Sequence, residues 1–153
     1  MMETHHTKGR RLVIAGSRDM SKDVAKQFIS TYLTVFGFPD VVIHGACGAS
    51  HENPDPPYDG VDGAADELCL DLGIEVERYP ADWKKGAEMQ RKFTNSANPA
   101  GPMRNAEMIR VGDMLLVIRY ADSRGSSSIR DLAVARMKPV VDIVLPRGVG
   151  MLM

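Results

Sequence analysis

Short apolar runs that stop abruptly in small residues, each followed by a helical pattern, constrain this chain more than any other feature. Leu12-Val13-Ile14-Ala15 closes at Gly16, and Val41-Val42-Ile43 closes at His44-Gly45. Met114-Leu115-Leu116-Val117-Ile118 and Pro139-Val140-Val141-Asp142-Ile143-Val144 are runs of the same kind. Such runs read as strands of a parallel sheet buried on both faces. Ile74–Tyr79 alternates polar and apolar residues instead, which puts it nearer a sheet edge. Between the runs, apolar residues fall at helical spacing. Val24, Phe28, Ile29, Tyr32, Leu33 and Phe36 follow a Ser21 N-cap, and Gly37 stops them. Ala64, Ala65, Leu68, Cys69 and Leu72 share a face ahead of Gly73. A loop over 99–105 leads into a third helix at Met108 and Ile109, a small-residue loop over 122–128 feeds a fourth at Ile129, Leu132 and Ala133, and Lys84–Asn98 is partly helical. Strands alternating with helices imply an α/β domain whose parallel sheet is covered on both faces.

The chain has 153 residues, which is room for one domain with a proper core but not for two. That domain spans 11–146, between a flexible leader (1–10) and a short tail (147–153). In the leader, the pair His5-His6 reads as solvated tail ahead of a metal site. A formal net charge of −1 argues against a dedicated nucleic-acid binder. Cys47 and Cys69 lie far apart without metal-ligand spacing, so the expectation is no metal and a reducing, cytoplasmic setting. No apolar run reaches spanning length and the start has no signal-peptide core, so no membrane partner is expected.

Every polar cluster falls just after the carboxyl end of a strand, where the binding crevice of such sheets lies. Small residues there let backbone N–H groups approach a ligand, and helix N-termini favour anions. Gly16, Gly45, Gly60, Gly101 and Gly125 are the candidates for that close approach, although their spacing matches neither the Walker loop nor G-x-G-x-x-G. Arg18 and Arg104 offer forked guanidinium groups to phosphate, or else pair with Asp19 or Asp82. Asp62 can hold a ribose hydroxyl, serve as a base, or only favour a helix start. Asp82 is a second catalytic carboxylate candidate, or pins a loop with Trp83. Asn105 caps a helix or touches a base, and Ser17, Ser126 and Ser127 donate to phosphate or simply cap and turn. His44 reads first as a satisfied strand-end histidine and second as a ligand-binding residue. Cys47 has only His44 or His51 as a nearby base, which disfavours a thiol nucleophile. The proline-rich insert 49–59 is either a lid over the site or a spacer.

Gly16-Ser17-Arg18-Asp19, His44-Gly45, Gly60-Val61-Asp62-Gly63-Ala64-Ala65, Pro80-Ala81-Asp82-Trp83, Ala100-Gly101-Pro102-Met103-Arg104-Asn105 and the Ser123–Ser128 loop occur in this order. Together they resemble the YspA-like (cpYpsA-related) branch of the SLOG superfamily, which joins DprA/SMF-type and LOG-type domains. The resemblance covers about residues 11–144. It implies a three-layer Rossmann-like domain with a mostly parallel five-stranded sheet, binding a nucleotide or nucleotide-derived small molecule without a further cofactor. It also makes a homo-oligomer plausible. One departure is that the insert splits a stretch continuous in that branch, leaving His44-Gly45 on one side and Gly60-Val61-Asp62 on the other. LOG-type relatives cleave N-glycosidic bonds with a glutamate, and at that position this chain has Ile129, which can neither activate water nor stabilise an oxocarbenium centre. Two functions follow from the resemblance: a module that senses, carries or sequesters the ligand, or a hydrolase of an N-glycosidic or phosphate bond using Asp62 or Asp82. A DprA-like contact with single-stranded DNA is weaker, because it needs a basic surface.

Overall fold

The computed structural model describes residues 10–93 and 97–147. Five strands form one sheet: β1 (Arg11–Gly16), β2 (Val41–His44), β3 (Glu75–Arg78), β4 (Met114–Tyr120) and β5 (Val140–Leu145). All neighbours pair in parallel, in the order β3-β2-β1-β4-β5. The helices among the described residues are α1 (Lys22–Phe36), α2 (Gly60–Leu72), α3 (Trp83–Lys92), α4 (Ala100–Val111) and α5 (Arg124–Ala135). This is the three-layer Rossmann-like α/β architecture. The expected leader and tail, with His5 and His6, lie outside the described residues apart from Arg10 and Arg147.

The pleat sends alternate residues of the central strands to opposite faces. Leu12, Ile14, Leu116 and Ile118 pack with α1 and α2 through Ile29, Leu33, Val61 and Ala65. Val13, Ala15, Leu115 and Val117 pack with α4 and α5 through Met108, Ile109, Ile129 and Ala133. Burying a side chain such as Ile29 or Ile109 contributes about 2 kcal/mol. β3, at one edge, has three charged residues among its four (Glu75, Glu77 and Arg78), and this is the strand whose sequence alternates.

The residues after β1 turn into α1 on one face, and those after β4 turn into α5 on the other. A crevice opens between the carboxyl ends of β1 and β4 at this topological switch point. Two sequence expectations are corrected here. The stretch 99–105 is not a loop before a helix, because α4 already begins at Ala100. Likewise 124–128 is the first turn of α5. Glycine, proline and serine suggest a loop, but the first helical turn needs no donor from Pro102, since its N–H groups have no intrahelical acceptor in any case.

Candidate functional site

At the switch point lies a cavity of about 530 Å³. Its walls come from parts of the chain far apart in sequence. Ala15, Gly16 and Arg18 form the end of β1, and Gly45–Ser50 follow β2. Asp62 enters from α2, Gly101, Arg104 and Asn105 from α4, and Gly125 and Ser126 from α5. In neither α4 nor α5 does the N-cap residue itself cap the helix through its side chain, and neither has an acidic residue in its first turn. Both therefore present the positive end of the helix dipole to the same space; in α4 the Ala100 N–H is taken by Asn98 Oδ1 (3.0 Å) and Pro102 has none, which leaves the Gly101 N–H.

The loop after β2 is a different matter. Its amides are already used inside the protein. The Ala46 N–H donates to His44 Nδ1 (2.9 Å) and the Cys47 N–H to Asp62 Oδ2 (3.1 Å), while the Ala49 N–H donates to the Ala46 carbonyl. The Gly45 amide also bonds the Asp62 carboxylate. The carboxylate of Asp62 thus occupies the position an external anion would take in this small-residue loop. Burial pushes the Asp62 carboxyl above its ordinary pKa, and Arg104 and the two amides pull the other way.

Arg104 spans the cavity wall. Its Nη1 donates to the Gly45 carbonyl and to that of Tyr79 (3.2 Å), and its Nε donates to Asn105 Oδ1 (2.9 Å). A Cβ on Gly45 would stand 2.6 Å from the guanidinium, so glycine is required for this seat. The expected alternative, pairing with Asp19 or Asp82, is not what Arg104 does. Arg18 is exposed and faces Asp59 at 3.9 Å, while Asp19 pairs with Arg147.

The remaining candidates lie away from the cavity lining. The Ser17 Oγ accepts from the Tyr120 N–H (2.9 Å), which ties β1 to β4. Gly60, at φ +56°, packs against Ser17 and Arg18, where a Cβ would lie 2.4 Å from the Ser17 carbonyl. Ser127 accepts from Arg119 and donates to the Ser123 carbonyl. Asp82 caps α3 by accepting from the Lys85 N–H (3.1 Å), faces His51 at 3.4 Å, and lines a separate cavity of about 350 Å³. His44 is fully buried. Its Nδ1 accepts from Ala46, so the proton sits on Nε2 and donates to Asp66 Oδ2 at 2.7 Å. Ile129, by contrast, both packs in the α5 face of the core and lines the first cavity.

Two clusters were not foreseen. Asp66 holds both His44 and Arg78, whose Nε and Nη2 reach its two oxygens at 2.6 and 3.2 Å. Burial raises the Asp66 carboxyl, but the hydrogen bonds from His44 and Arg78 outweigh it and bring it to about 2. Tyr58 of the proline-rich insert packs edge-on against His44 and donates to the Pro54 carbonyl at 2.7 Å. The insert is thus anchored on this network, with Ala49 and Ser50 reaching the cavity. The second cluster pairs Arg119 with both oxygens of Asp142 (2.9 and 3.0 Å) across β4 and β5. In each case the sequence signal was a charge on an otherwise apolar face.

Burial pushes the Cys47 thiol above its usual pKa, which keeps it protonated and a poor nucleophile. Among the described residues, no three of His, Cys, Asp and Glu converge on a metal-ligating position, and no helix is long and apolar enough to cross a membrane. No protein-family model matches the chain, and no curated protein sequence does either.

Proposed function

We propose that this protein is a YspA-like member of the SLOG superfamily that binds a nucleotide or nucleotide-derived small molecule at the carboxyl ends of its parallel strands, so as to sense, carry or sequester it. The observation that carries this reading is the pair of helix N-termini, α4 at Gly101 and α5 at Gly125 and Ser126, opening on one cavity beside Arg18. Two such termini and a guanidinium suit a phosphate. A volume of about 530 Å³ suits a nucleotide-sized ligand. Asn105 adds a polar group for a sugar or base. The cytoplasm is the compartment we infer, since both cysteines are free. We also expect self-association, which light scattering on a sizing column would test.

The second reading is hydrolysis of an N-glycosidic or phosphate bond. Asp62 favours it: a buried carboxyl with a raised pKa, lining the cavity, is the form a general acid or base takes. One experiment separates the two. The protein is incubated with a nucleotide panel while thermal stabilisation and product formation are followed together. Stabilisation with the ligand recovered intact supports binding alone. Turnover abolished in Asp62→Asn supports the enzyme. Arg18→Ala is expected to weaken phosphate-bearing ligands by about 1–3 kcal/mol, as for a charge-assisted hydrogen bond. If no nucleotide stabilises the wild-type protein, both readings fail.

A further inference from the structure

We propose that the second cavity, of about 350 Å³, is a subsite for a second ring of the same ligand, which makes the preferred guest a two-ringed pyrophosphate ester rather than a mononucleotide. This rests on the nucleotide-binding reading above and extends it. The two cavities are neighbours with a shared wall. Arg104 lines both, and pairs of consecutive residues divide between them, among them Ser50 and His51, Asp82 and Trp83, and Ala100 and Gly101. Their chemistry differs. The first has the helix N-termini and Arg18, whereas Pro80, Met89, Ala100 and Met103 give the second its apolar surface.

Charged groups also line the second cavity, and all but Lys85 and the shared Arg104 are engaged elsewhere. Arg78 is held by Asp66, Glu107 by Arg110, and Asp82 by the Lys85 amide and His51. Apart from the exposed Lys85, the hollow therefore offers contact area rather than a seat for a phosphate. An apolar or aromatic ring fits such a place, with flexible methionines closing on its faces. Between the two cavities, Arg104 Nη2 donates to no acceptor among the described residues, while Nη1 and Nε are occupied. A guanidinium nitrogen so placed suits the phosphate bridge linking a group in one cavity to a ring in the other.

The test is calorimetric titration with AMP, ADP and diadenosine pyrophosphate against the wild type and the double variant Met89→Ala/Met103→Ala. ADP supplies the second phosphate without the second ring. Both methionines are at least partly exposed, so the double variant keeps the core intact. The wild type is expected to bind the two-ringed ester about tenfold more tightly than ADP, the scale of one stacked or buried ring. The double variant is expected to lose that gain and keep its affinity for AMP. Equal binding of ADP and the two-ringed ester, or a gain that survives both truncations, overturns the subsite while leaving the first cavity's assignment intact. Absence of binding by all three ligands removes the nucleotide reading itself, and the subsite with it.

Discussion

Asp62 and Asp66 stand one helical turn apart on α2, both buried, yet their surroundings push their carboxyls in opposite directions. Asp62 has two backbone amides and the more distant Arg104, and burial wins. Asp66 has a direct guanidinium and an imidazole N–H, and these win over burial. The sign of each effect on stability follows. Asp62 binds its proton more tightly folded than unfolded, so its contribution weakens as the pH rises above the ordinary carboxylate value. Asp66 is the reverse: its contribution is complete above about pH 4 and is lost as the pH falls towards 2. With its side chain only 3% exposed, a fall from 3.8 to about 2 corresponds to roughly 2 kcal/mol. We expect Asp66→Asn to cost about 2 kcal/mol at neutral pH, because it removes the negative charge that Arg78 and the His44 N–H bind. The gap from wild type should narrow between pH 4 and pH 2. Urea unfolding at stepped pH measures it, and a gap that stays constant down to pH 2 contradicts the assignment.

Among the elements, the starts of α4 and α5 matter most. At Gly125 a Cβ would meet nothing within 4 Å, and the position lines the cavity. The residue can therefore be varied without disturbing packing. Gly125→Ala should stabilise the fold by about 0.5–1 kcal/mol through lost chain entropy. Gly125→Asp should gain a further few tenths of a kcal/mol from the helix dipole, yet reduce phosphate binding at least about tenfold by placing a carboxylate at the anion position. Denaturant unfolding and titration with a nucleotide measure the two effects separately. If the aspartate variant binds as well as the alanine variant, the N-terminus of α5 is not part of the anion site. These helix starts also show what the sequence conceals. Gly101-Pro102 and Gly125-Ser126-Ser127-Ser128 have loop composition, and only the tolerance of a first turn for proline and small residues makes them helical. The strands were easier to read. Val13-Ile14 and Leu115–Ile118 are apolar without interruption because helices cover both their faces, and no alternative packing suits that pattern.

On the scale of the whole molecule, the site exists only because distant segments meet. β1 pairs with β4 across about a hundred residues, from Leu12 opposite Met114 to Gly16 opposite Ile118, and this pairing brings the α5 turn to the end of β1. That convergence could be anticipated from the position of each polar cluster after a strand. The partners within the convergence could not. His44, Asp66 and Arg78 have no characteristic spacing, and nothing local indicates that Asp62 fills the loop after β2 while α4 and α5 stay open. A site assembled in this way makes a collective prediction. A ligand bound only by the folded state stabilises it by about 2.7 kcal/mol at a hundredfold excess over Kd. The N–H groups in contact with it lie on two helices that are separate in sequence. Hydrogen exchange with saturating nucleotide should therefore slow at Gly101 and at Gly125–Ser126 together, over the same concentration range as the rise in thermal stability. Protection of α5 alone, with Gly101 exchanging as in the free protein, would mean that the ligand sits on one helix end and that the shared cavity is not its binding site.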